Sequence, residues 1–235
     1  MEPLRSRPAL YPRASWYFAA TLLIAVVGFF PSFFQRLGQT DGPHLVHGLS
    51  AFAWLCLLTA QAWLIRHGHR VWHRRLGRVS FLVVVPLVVA GLVMMRGMLR
   101  SEGEFERAFG VQLAWIDFTT LTYFAAAYVL ALVYRRQLHL HARLMAATAV
   151  LVLPPAVARL LLNAGWVGDF PTALHLSLGL TELVALALVV HDLRRWRLHP
   201  PNLVLLTFLL LQHLGAVLLP ATAAWQAICR AIGGL

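Results

Sequence analysis

Lysine is absent: all 20 basic residues of the chain are arginine. A retinal-type chromophore held as a Schiff base on lysine is therefore excluded. Charge of either sign is scarce, at 12% of residues, against roughly 25% in soluble domains. The two cysteines are Cys56, inside an apolar run, and Cys229, far from it in sequence. That excludes a disulfide framework and a Cys-x-x-Cys metal motif. The sequence also lacks a glycine-rich phosphate loop, a dinucleotide fingerprint and a nucleophilic-serine motif, and no internal repeat stands out.

Apolar residues take up what charge leaves free. They make up 60% of the 235 residues, with a mean hydropathy of +0.70, against about 45–50% apolar residues in soluble domains. This composition dictates an integral membrane protein. A spanning helix needs about 20 mostly apolar residues, and seven stretches qualify: Trp16–Phe34, His44–Ile65, Val79–Leu99, Ala108–Tyr134, Ala142–Asn163, Thr172–Val190 and Leu203–Ala223. The connections are short. The expected fold is all-α, a single bundle of seven transmembrane helices over residues 16–235, preceded by a tail over residues 1–15. The tail, "MEPLRSRPALYPRAS", is basic, and no small-x-small cleavage site stands out after it. It reads as a cytoplasmic tail and not as a signal peptide.

The formal charge of +11 is distributed as the positive-inside rule predicts. "RHGHRVWHRRLGR", "RRQLHLHAR" and "HDLRRWRLHP" fall on one side with the tail, while "QRLGQTDGP", "RSEGEFERAFG" and "NAGWVGDFP" on the other are mixed or acidic. The expectation is a cytoplasmic N-terminus and a periplasmic C-terminus in a bacterial inner membrane. Arginines at the ends of spans contact anionic membrane lipid and form no nucleic-acid surface.

This topology sorts the 11 histidines by depth. His67, His69, His73, His139, His141, His191 and His199 fall at the cytoplasmic ends, where they and the arginines read chiefly as topology anchors, with a second metal or haem site as the alternative. His44 and His47 open the second helix from the outside, His175 lies just inside the outer end of the sixth, and His213 lies in the outer half of the seventh. Arg96, Gln112, Arg159 and Asn163 lie near the outer ends of other helices, with Asp117 deeper, and Glu182 lies near the middle of the sixth. An ionisable side chain inside a span costs at least about 2.5–3.5 kcal/mol at its centre and usually faces a functional interior. His175 and Glu182 are seven residues apart, hence on one face, as are His44 and His47. One shared polar chamber in the outer half is the expectation.

Imidazole is the commonest metal ligand and suits Zn, Cu and Fe. The expected metal ligands are His44, His47, His175 and His213, holding haem b or a transition metal (Cu or Zn). Glu182 and Asp117 are the candidate catalytic carboxylates. Arg96 and Arg159 are the candidate cofactor-binding cations, toward haem propionates. A redox protein serving a quinone or a periplasmic partner follows from this set. A zinc-dependent hydrolase or lipid-modifying enzyme, a transporter with Asp117, Glu182 and His213 as a proton relay, and an assembly factor are the alternatives. The bland readings are that His44 and His47 lie in the membrane interface and that both arginines snorkel. His175 and His191, 16 residues and roughly 24 Å apart, are rotated by roughly 160°, which argues against a two-haem wire on that helix.

Two elements carry a resemblance. "HRRLGR", with His73, Arg74, Leu76, Gly77 and Arg78, leads into a helix, and "HARLM", with His141, Arg143 and Met145, precedes a distant Arg159. Over the second to fifth helices the chain resembles uncharacterised bacterial multi-pass membrane proteins, whose relatives look connected to b-type cytochromes or cytochrome oxidase assembly. The resemblance implies the helical architecture and a link to haem or metal chemistry. His175 and His213 have no counterpart in it.

Overall fold

A computed structural model describes residues 13–194 and 199–234. Most of the expected tail, Arg5 and Arg7 included, and part of the last basic loop lie outside the described residues. The elements are α1 (Ala14–Phe29), a 3₁₀ turn (Phe34–Gln39), α2 (Gly42–Arg66), α3 (Arg70–Val79), α4 (Phe81–Arg100), α5 (Glu104–Val133), α6 (Leu138–Val150), α7 (Leu153–Asn163), α8 (Phe170–Arg194), α9 (Pro200–Leu218) and α10 (Ala223–Gly233). No strand occurs among the described residues, so the all-α expectation holds.

Among the described residues six helical segments, not seven, are long and apolar enough to cross a membrane: α2, α3 with α4, α5, α6 with α7, α8 and α9. The chain is a multi-pass membrane protein. The first expected span falls short, because α1 has 16 residues, about 24 Å of helix. Pro31 follows its C-terminus, lacks the N–H that would extend the ladder, and leads into the 3₁₀ turn. Two further helices were read as loop or tail. α3 is a short arginine-rich amphipathic helix at the basic end, and α10 lies beyond the last apolar run.

The helices close a ring. α2 packs on α1, α1 on α7, α7 on α8, α8 on α9, α9 on α5, α5 on α4, and α4 on α2. α6 sits inside this ring at the basic end and touches α5, α9, α8, α1 and α2, so that six of its eight residues from Arg143 to Val150 are buried, Met145 and Ala146 being half-buried. Pro154 and Pro155 interrupt the hydrogen-bond ladder between α6 and α7. Proline is tolerated in the first turn of a helix, so α7 restarts there and leaves the centre for a place between α1 and α8. The core around α6 is built on Trp54, Leu55, Phe124, Tyr128, Leu205 and Leu209. Trp54 is edge-on to Phe124 and Tyr128, with centroids at 5.6 Å, and donates its indole N–H to the Thr148 hydroxyl at 3.1 Å.

Candidate functional site

Two seams of α9 decide where its polar side chains go. Gln212 turns to α5: its amide donates to the hydroxyls of Thr119 and Thr120, both at 2.8 Å, and to the Ile116 carbonyl at 3.1 Å. The Trp115 indole donates to the Gln212 carbonyl at 2.9 Å. His213, the next residue, is rotated by about 100° around the helix and enters the seam with α8. There it meets the face that carries His175 and Glu182.

The three side chains form one hydrogen-bonded chain. His213 Nδ1 lies 2.8 Å from Glu182 Oε1, and His213 Nε2 lies 2.9 Å from His175 Nδ1. The imidazoles are nearly parallel, at 20°, with centroids 5.2 Å apart. A glutamate carboxylate only accepts, so His213 donates from Nδ1. In the neutral ring Nε2 is then the acceptor, and His175 donates to it from Nδ1. His213 and Glu182 keep only 24% and 18% of their side-chain exposure. Both His175 and His213 stand five residues inside the ends of α8 and α9 away from the basic loops, and Glu182 lies about 10 Å deeper than His175 along α8.

The other expected site residues are placed elsewhere. Asp41 caps α2, accepting from the backbone N–H of His44 at 2.9 Å and facing the His44 ring at 2.8 Å. That backbone N–H, with the ring, holds the Asp41 carboxyl below the usual aspartate range. His47 donates from Nδ1 to the Leu87 carbonyl of α4 at 2.9 Å. Gly91 makes room for the ring, since a Cβ there would sit 3.1 Å from it. His44 and His47 therefore belong to the start of α2 and its seam with α4. Among the described residues no group of three or more His, Cys, Asp or Glu side chains is arranged to hold a metal ion.

Arg159 bonds the Pro155 carbonyl at 3.1 Å and lies over the Phe29 ring at 4.5 Å. Its charge acts on half-buried Asp117, so these two expected residues are electrostatic neighbours. Arg96 is exposed beside the C-terminal end of α10, where Arg100 bonds the Gly233 carbonyl. Gln112 and Asn163 bind backbone carbonyls, of Ala216 at 3.0 Å and of Gly28 at 2.9 Å.

At the basic end the fold brings together side chains that no sequence spacing pairs. Arg143 holds Asp192 through Nη2 at 2.6 Å and Nε at 3.2 Å, and Asn202 donates to the same carboxylate at 2.7 Å. On another side of α6, His141 approaches His73 of α3, with ring centroids 6.4 Å apart. The "HARLM" and "HRRLGR" elements were the available signal for this contact.

No protein-family model, no curated protein and no solved structure matches the chain.

Proposed function

We propose that the chain is a proton-coupled membrane transporter of the bacterial inner membrane, with its basic end cytoplasmic, and that Glu182, His213 and His175 relay a proton through its outer half. The observation that carries this reading is the unbroken sequence of two hydrogen bonds from Glu182 through His213 to His175. A proton arriving at His175 Nε2 releases the Nδ1 proton to His213 Nε2. His213 in turn releases its Nδ1 proton to the Glu182 carboxylate. One proton enters, one is delivered about 10 Å deeper, and both rings exchange tautomers. Continuation from Glu182 toward the basic end is the conformational step that transport adds.

The donor set is a poor fit to haem or a transition metal at this place. Both nitrogens of His213 are engaged, and a ligating imidazole needs one free for the ion. Proton relay by the same three residues needs no such freedom.

The test is proton flux into proteoliposomes, driven by a potassium diffusion potential and read with an entrapped pH dye. Wild-type flux that falls at least tenfold in Glu182→Gln and in His213→Ala supports the relay. Equal flux in wild type and both variants sinks it. A visible spectrum with a reducible Soret band that is lost in His175→Ala would replace it with a haem protein.

A further inference from the structure

The basic end holds two neighbouring imidazoles, one of them presented as ligating histidines usually are. His141 donates from Nδ1 to the Ala131 carbonyl at 2.8 Å. This bond fixes the tautomer, and Nε2 keeps the lone pair. On α3, the His73 ring faces the Gln61 backbone of α2 and the His141 ring. His73 Nδ1 is buried, and among the described residues it has no hydrogen-bond partner. The His141 ring is therefore oriented by a backbone carbonyl with Nε2 left free, the arrangement by which proteins aim imidazoles at metals, and the neighbouring His73 ring has a buried Nδ1 without a partner among the described residues.

A third donor stands beside them. The Gln61 side-chain oxygen is also buried without a hydrogen-bond partner among the described residues. Its amide nitrogen lies next to Gly77, one helical turn after His73. Buried polar atoms in native proteins are normally satisfied, so two unsatisfied ones in one seam, next to a free imidazole nitrogen, ask for a common partner. His141 Nε2, Gln61 Oε1 and, in the tautomer protonated on Nε2, His73 Nδ1 are lone-pair donors, and an electron-pair acceptor is the partner common to all three. The rings are edge to face at 6.4 Å. Two imidazoles sharing one ion at about 2.0–2.1 Å in a tetrahedral arrangement have centroids roughly 5–6 Å apart, so a bare ion fits with a small closure of the seam.

We propose that His73, His141 and Gln61 bind a single copper or zinc ion at the cytoplasmic end of the protein. Imidazole with neutral oxygen suits these ions, and no carboxylate is required. The site lies on α2, α3 and α6, is separate from Glu182, His213 and His175, and does not depend on the relay.

The full-length protein, purified through a tag without histidine and stripped with chelator, is titrated with Zn²⁺ and, under reducing conditions, with Cu⁺. One ion per chain is expected, with affinity at least tenfold weaker in His73→Ala and in His141→Ala, and unchanged in a Glu182→Gln/His213→Ala double variant. X-ray absorption of the loaded wild-type protein keeps the test decisive if a single variant fails to fold; imidazole scattering is expected in it. No stoichiometric ion, an affinity that follows His213 instead of His73, or a first shell without imidazole each overturns the proposal.

Discussion

Arg143 of α6 and Asp192 of α8 are joined at two points, 2.6 and 3.2 Å, with 5% and 2% of their side chains exposed. A buried pair of this kind stabilises weakly against an apolar replacement of both partners but strongly against loss of one. Asp192→Ala leaves the guanidinium in the bundle without its carboxylate, and about 3–5 kcal/mol of stability is expected to go. The Arg143→Met/Asp192→Leu double variant is expected to lose much less. Thermal melting in detergent, followed by circular dichroism, checks the order. A double variant as unstable as Asp192→Ala would mean that the pair itself is the main source of stability there.

Gly28 of α1 meets the α7 backbone. A Cβ at this position would stand 2.3 Å from the Ala156 carbonyl oxygen, and a backbone atom cannot swing aside as a side chain can. The Gly28 carbonyl also accepts from Asn163. Gly28→Ala is expected to push α1 off α7 at about 1–3 kcal/mol, the usual cost of overpacking. Ala→Gly at Ala25, which faces the same core but has a side chain to lose, serves as the control. Faster proteolysis within α1 of Gly28→Ala alone would confirm the close approach.

The cap at the start of α2 has a pH signature. Because the His44 backbone N–H and ring hold the Asp41 carboxyl below its ordinary range, its contribution to the helix start is complete above that range and is lost as pH falls through the lowered value. Carbon NMR titration of Asp41 should give a midpoint below that of aspartate in an unstructured peptide. Asp41→Asn, which still caps, should keep the His44 amide protected without this pH dependence. Asp41→Ala should lose the protection at all pH values.

What the sequence made legible was depth and face. Seven-residue spacing put His175 and Glu182 on one stripe, and depth put His213 beside them; the fold joins all three. Azimuth was not legible. His44 and His47 share their helix face as expected, but that face looks at α4 and not at α8, and nothing in a helical period says which neighbour a stripe meets. Arg143 and Asp192, 49 residues apart, were masked by the arginines around them, which satisfied the positive-inside reading without any pairing. α3 escaped because a ten-residue helix with five of its residues basic or histidine fails the apolar-length criterion. The count of seven spans failed at α1, where Pro31 cuts the run short of what a full crossing needs.

Gln212 and His213 are adjacent in sequence yet serve different seams, which allows their effects to be separated. Gln212 ties α9 to α5 through Thr119, Thr120 and the Ile116 carbonyl and has no part in the relay. Gln212→Leu removes these bonds at nearly constant volume and is expected to cost about 1–3 kcal/mol of stability while proton flux per folded molecule stays near wild type. His213→Asn removes the group in the middle of the proposed relay, with flux expected to fall at least tenfold and melting temperature to change less than in Gln212→Leu. Flux and melting are measured on the same preparations. If Gln212→Leu lost flux as completely as His213→Asn, the α5–α9 seam would be the proton path, and Glu182, His213 and His175 would be a structural clasp between α8 and α9.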